Sequence, residues 1–153
     1  MDHPLWTAEH VRFLETARVG HLSTADGRGR PSVVPVVFVL DGGKVYTPID
    51  GKPKGDAGTL RRIRNIRENP AVAFLVDRYD EDWTRLAFVH IRGTAAVLSA
   101  GSPKSGPADS EEFSRAETLL REKHPQYRSV PLGGPGELMI RINPTSCTAW
   151  GPL

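Results

Sequence analysis

Apolar and polar positions change period repeatedly along this chain of 153 residues. Val11, Leu14 and Phe13/Ala17 recur at helical spacing behind Thr7, a side chain suited to capping, which predicts a first helix of about three turns. From Val19 the pattern turns to runs rich in β-branched residues. GHLST, SVVPVVFVL and KVYTPI read as three strands, separated by Asp26-Gly27-Arg28-Gly29 and by Asp41-Gly42-Gly43. The second separator is a tight hairpin signal between two apolar runs. Pro35 interrupts its run. It cannot donate to a ladder, so it marks an edge, a bulge, or a place where something other than a strand lies alongside.

A short helix is expected from about Thr59 to Arg67, with Leu60, Ile63 and Ile66 as its buried stripe and Asn69-Pro70 as its stop. AVAFLVD is nearly continuous in apolar residues and reads as a central strand. RYDEDWTR is a charged turn. In LAFVHIRGTAAVL, Val89, Ile91, Ala95 and Val97 alternate with Phe88, His90, Arg92 and Thr94, and Gly93 suits a bulge. Residues 99–108 read as a mobile Gly/Pro/Ser-rich loop. Asp109 and Glu112 have capping-box spacing and open a helix with Phe113, Ala116, Leu119 and Leu120 inward, ending at His124-Pro125. ELMIRINPTSCTAWG supplies one or two closing strands. No repeat or boundary divides the chain, so 1–153 is read as one domain. Strands follow strands without βαβ alternation, which predicts a mainly β (α+β) fold: an antiparallel barrel with peripheral short helices.

Composition narrows the function by exclusion. Hydrophobic content of 39% and charged content of 25% are ordinary for a globular protein. No apolar run is long enough to span a bilayer and no leader-like segment opens the chain, so a cytoplasmic protein away from membranes is expected. A net charge of +2 argues against a dedicated nucleic-acid binder. Cys147 is the lone cysteine, and the five histidines (His3, His10, His21, His90, His124) lack ligand spacing, so no metal site is expected.

The charge that matters is local. From Lys52 to Arg67, six cations (Lys52, Lys54, Arg61, Arg62, Arg64, Arg67) stand against one acid, Asp56. A loop running into a helix start offers backbone N–H groups to an anion. Lysines and forked guanidiniums add charge-assisted bonds worth roughly 1–3 kcal/mol each. The plainer reading is a solvated helix face. Thr47 and Asp50 end the preceding strand, where they can touch a ligand or serve the turn. Trp83, with Tyr79, can form an aromatic wall over a ligand, or else serve a dimer interface or the core. Trp150 reads as packing. His90 and Arg92 share one strand face.

Taken in order, RVGHLST, VVPVVF with its central Pro35, YTPIDGKPK, LRRIRNIRENPAVAFLVD and YDEDW resemble the pyridoxamine-phosphate-oxidase-like split β-barrel family. The nearest likeness is to its actinobacterial branch that uses the deazaflavin coenzyme F420. The match covers roughly residues 10–98, and INPTSCTAW fits loosely. The resemblance implies a split barrel of the FMN-binding type and a homodimer with each cofactor in a groove between two barrels. It also implies an oxidoreductase that passes hydride between F420 and a small organic acceptor. Carried over by position, Lys52, Lys54, Arg61 and Arg62 would contact the cofactor's phosphate and tail. The backbone of Val33, Val34, Pro35 and Val36 would support its ring. Asn65 sits where many members have the asparagine of a K-x-x-N-L motif, and Arg62 replaces that lysine. With the longer cationic loop, this departure favours F420 and its oligoglutamate tail over FMN. The alternatives are an FMN-binding oxidase or reductase of the same fold, or a non-catalytic protein binding F420, FMN or a tetrapyrrole.

Overall fold

A computed structural model of the chain describes residues 5–49, 60–100, 107–130, 132 and 137–153. Of the residues singled out above, Asp50, Lys52 and Lys54 lie outside that set, as does most of the 99–108 loop. The first helix is α1 (Ala8–Thr16). Thr7 Oγ1 accepts from the His10 N–H and the His10 ring accepts from the Thr7 N–H, each at 3.2 Å, a reciprocal cap. Seven strands follow: β1 (Gly20–Ala25), β2 (Pro31–Val36), β3 (Val39–Asp41), β4 (Lys44–Pro48), β5 (Ala71–Arg78), β6 (Ala87–Ser99) and β7 (Leu138–Trp150). Helix α2 (Arg61–Glu68) precedes β5 and helix α3 (Pro107–Lys123) precedes β7. The strands form one sheet in the order β2-β1-β5-β6-β7-β4-β3, antiparallel throughout.

SVVPVVFVL, expected as a single strand, divides into β2 and β3. The two stand at opposite ends of the strand order yet are joined by only Val37 and Phe38. So short a link brings the sheet's two ends together and closes it into a split barrel. Phe38 explains the break. Its side chain is fully buried and meets Phe74 edge to face at 5.0 Å, which turns the backbone out of the β2 ladder.

Gly93 is the expected bulge. The β6–β7 register shifts between Arg92 and Gly93, and a Cβ at Gly93 would stand 2.1 Å from the Asn143 carbonyl oxygen. The β3–β4 hairpin turns on Gly42 and Gly43, both with positive φ (57° and 75°), as its Asp-Gly-Gly sequence predicts.

Two apolar cores result. Leu22, Phe38, Val45, Phe74, Val89, Ile91, Ile140 and Ile142 fill the barrel, closed over by Leu14 of α1 and by Ile63 and Ile66 of α2. The second packs Phe113, Ala116 and Leu120 of α3 on Val39, Tyr46 and Met139. Helix α3 begins at Pro107, two residues before the expected cap, so Asp109 lies within its first turn. Glu112 does not reach back to a cap. Its carboxylate accepts from the Tyr46 hydroxyl at 2.6 Å and from Arg141 Nη1 at 2.8 Å. No helix among the described residues is long and apolar enough to cross a membrane.

Candidate functional site

The outer face of the sheet presents the side chains that do not fill the barrel. Register places Pro35, His21, Leu75, His90 and Thr148 in one cross-strand row. Val33, Ser23, Ala73, Arg92 and Ser146 form the next. His90 and Arg92 therefore do share a face, as their spacing requires. At one end of it Phe88 stacks on Trp150 with ring centroids 6.0 Å apart. Trp150, read from sequence as packing, is 55% exposed. Val33 is 65% exposed and Trp83 is 70% exposed. The core reading of Trp83 is thereby removed: it sits on a 3-10 turn (Trp83–Arg85) held by Asp82, which accepts from the Thr84 N–H at 3.1 Å.

The four residues Val33–Val36 divide by side. Val33 and Pro35 point outward, whereas Val36 is buried in the barrel and Val34 packs against it. Strand β2 is a sheet edge, so a row of its backbone groups is unpaired within the sheet. Pro35 carries no N–H, and a flat ring can approach there without disrupting a ladder.

The start of β2 is cationic. The β1–β2 turn is ordered by Asp26, whose carboxylate accepts from the backbone N–H of Arg28 (2.9 Å) and Arg30 (3.0 Å) and from Arg30 Nε (2.6 Å). The Arg30 backbone bond foremost holds the Asp26 carboxyl below the usual carboxylate range. Three bonds tie this turn and β1 to α2 and its end: Gly27 N–H to Glu68 Oε2 at 2.8 Å, Asn65 Nδ2 to Thr24 Oγ1 at 3.0 Å and Asn69 Nδ2 to the Asp26 carbonyl at 3.5 Å. The arginines of the turn and of α2 are thus gathered at one end of β2. Arg61, Arg64 and Arg67 are exposed, and none forms an ion pair with another described residue. Arg62 is half-buried.

Asn65 is placed differently from the exposed arginines. It is 3% exposed and its amide is engaged inside the protein with Thr24, so it fastens α2 to β1. Thr47 is 1% exposed, and among the described residues its Oγ1 has no hydrogen-bond partner. It lies three residues before the 50–59 segment. An orphaned buried hydroxyl costs about 1–3 kcal/mol, so it asks for a partner.

Sequence reasoning missed the Tyr46–Glu112–Arg141 cluster, because its members come from β4, α3 and β7 and no spacing joins them. Burial and Glu112 together push the Tyr46 hydroxyl well above its ordinary range, which keeps it a donor. Among the described residues no group of three or more His, Cys, Asp or Glu side chains is arranged to hold a metal ion.

Comparison with known proteins agrees with this architecture. A conserved hypothetical protein of Mycobacterium tuberculosis superposes with a TM-score of 0.71 at 18% identity, covering 99% of this chain and 89% of that one. An FAD-binding protein of Mesorhizobium loti gives a TM-score of 0.66 at 21% identity over 94% of each chain. At such identities the likeness speaks for the fold. In sequence, the chain is 31% identical over 147 residues to a 5a,11a-dehydrotetracycline/5a,11a-dehydrooxytetracycline reductase of Streptomyces rimosus, covering 94% of each. That relative supports an oxidoreductase on the split-barrel fold. Residues 6–150 match the pyridoxamine 5'-phosphate oxidase family model. With nearly its whole length matched, the chain belongs to the pyridoxamine 5'-phosphate oxidase family.

Proposed function

We propose that this protein is an F420-dependent oxidoreductase that moves hydride between the deazaflavin and a small organic acceptor, in a groove completed by a second copy of the chain. The observation that carries the reading is the arrangement along β2: an open sheet edge that starts beside Arg61, Arg64 and Arg67, exposed arginines that form no ion pair with another described residue. The residues suit such a cofactor. Arg61 and Arg64, with Lys52 and Lys54 of the adjoining segment, would meet its phosphate and carboxylate tail. The β2 edge at Val33 and Pro35 would lie along its ring, and the Thr47 hydroxyl has a donor and an acceptor to offer. When bound, the deazaflavin supplies a two-electron hydride couple, so the protein needs no covalent nucleophile. What these residues contribute is position and charge. The Streptomyces reductase supports reduction as the reaction class. A cytoplasmic location and the absence of nucleic-acid partners go with this reading.

The second reading is a flavin enzyme of the same fold, favoured by the FAD-binding structural neighbour. Equilibrium dialysis of the purified protein against equal concentrations of F420, FMN and haem separates the two. The expected result is retention of F420 above the others. Retention of FMN alone transfers the protein to the flavin reading, and retention of haem alone makes it a tetrapyrrole binder. If nothing is retained, the cationic cluster serves another purpose and the proposal fails.

A further inference from the structure

Helix α3 ends in a lysine that lies inward. Lys123 is half-buried, with its Nζ over the fully buried Phe38 ring, 4.0 Å from the ring centre. That nitrogen donates to the Leu14 carbonyl at 3.2 Å, in the last turn of α1. Lys123 forms no ion pair with another described residue. Its nearest charged company is a cation: Arg18, whose Nη1 donates to the Lys123 carbonyl. An ammonium held against an apolar core without a paired carboxylate is destabilised relative to the free amine. Burial foremost, then the Arg18 charge, lower its pKa to about 8. Free amine, the nucleophilic form, is therefore abundant at mildly alkaline pH.

Lys123 also lines a cavity of about 320 Å³, together with Glu15 of α1, Val39 and Leu40 of β3, and Leu119 and Glu122 of α3. This volume is at the low end of the roughly 300–1,000 Å³ range of small-molecule pockets. Val39, Leu40 and Leu119 give the cavity apolar walls. Val39 and Leu119 belong to the α3 core and Leu40 packs on the barrel core, so the cavity stands at the seam between the two. Glu15 and Glu122 are exposed and place carboxylates at its rim. Apolar walls with an acidic rim disfavour an anionic ligand and admit a small uncharged one.

We infer that Lys123 is a reactive amine that captures a small, uncharged, apolar aldehyde from this cavity as a reversible Schiff base. The inference goes beyond the oxidoreductase reading and uses none of the residues assigned to the cofactor. The Leu14 carbonyl takes one N–H of the free amine and leaves its lone pair available. That pair forms a C–N bond to the aldehyde carbon, and the carbonyl π pair moves to oxygen. One proton passes from nitrogen to oxygen through solvent, giving a carbinolamine. The nitrogen lone pair then expels the hydroxyl group, which leaves as water with a solvent proton, and the remaining N–H proton returns to solvent. Amine and aldehyde thus become imine and water, with no net oxidation. An imine nitrogen is a weaker base than an amine. Capture therefore replaces a half-buried cation by a neutral group and removes its repulsion from Arg18.

The test treats the full chain with butanal and sodium cyanoborohydride, which reduces the imine to a stable adduct, and follows labelling of each lysine by peptide mass spectrometry. Lys44, whose Nζ lies 4.0 Å from Glu112, is the reference within the same molecule. Labelling of Lys123 at least tenfold faster than Lys44 is the expected result. Leu119→Trp fills the cavity and keeps the amine, and Glu122→Trp closes it from an exposed position, so a folding defect in one variant does not decide the outcome. Either folded variant should cut the advantage of Lys123 at least fivefold. Glyoxylate, an anionic aldehyde, should show a smaller preference for Lys123 over Lys44 than butanal does. Lys123 labelled no faster than Lys44, or an advantage that survives both cavity fillings, overturns the assignment. An equal preference with glyoxylate overturns the uncharged, apolar class of ligand.

Discussion

Asn65, which the resemblance puts at a cofactor-contact position, is engaged inside the protein. Its amide is buried and donates to Thr24 Oγ1 across 3.0 Å, fastening the arginine-bearing helix to β1. Asn65→Ala strands the Thr24 hydroxyl, and a loss of about 1–3 kcal/mol in urea unfolding is expected. A variant as stable as the parent would show that the bond contributes nothing. Lys123 makes a second prediction at this scale. Burial, and then the Arg18 charge, push its ammonium from 10.5 down to about 8, although it lies over the Phe38 ring and donates to the Leu14 carbonyl. The folded state therefore releases this proton first. Between pH 8 and 10.5 the unfolded chain binds more protons, and this group's contribution to stability rises with pH, its penalty being full below that window. Lys123→Met abolishes that rise. The parent-minus-variant unfolding free energy should increase from pH 8 to 10.5, and parallel profiles would contradict the desolvation.

At the scale of elements, most of the fold was legible and one element was not. Thr7, the paired glycines Gly42 and Gly43, and the alternation of β6 each announced their structure through short-range chemistry. The division of SVVPVVFVL into β2 and β3 was hidden, because a continuous apolar run carries no sign of where Phe38 must turn inward to meet Phe74. Asp109 and Glu112 misled for the opposite reason: the spacing was right, but Tyr46 and Arg141 offered Glu112 better partners. The arginine cluster was visible as a run in sequence. The cavity beside Lys123 was not, since its lining comes from α1, β3 and α3. Gly93 gives the sharpest prediction for an element. Gly93→Ala drives a methyl group into the Asn143 carbonyl and should cost more than about 3 kcal/mol or prevent folding, whereas Gly42→Ala, which meets nothing within 4 Å, should cost about 1–2 kcal/mol for its positive φ alone. Equal losses in thermal unfolding would mean that the β6–β7 approach is slack.

For the whole molecule, the exposed outer face with Val33, Phe88, Trp83 and Trp150 is the proposed seat of the second copy. Val33 is exposed in the single chain, so Val33→Glu should weaken self-association by several kcal/mol, on the order of the cost of an unpaired charge in an interface, and lower the unfolding midpoint only by what association contributes. Sedimentation velocity across a concentration series reads this directly, and an unchanged dimer would move the interface elsewhere. Cofactor binding by the monomeric variant should fall with it, because the groove is then only half built. The proposed cofactor binding depends on the anion seat at the start of β2. Its most direct test is the F420 dissociation constant of the parent and of a Lys52→Ala/Lys54→Ala/Arg61→Ala variant, measured by fluorescence at low and high salt. The parent should bind tightly and lose affinity as salt rises, and the variant should lose at least a hundredfold. F420 bound equally well by both proteins, or by neither, would contradict it.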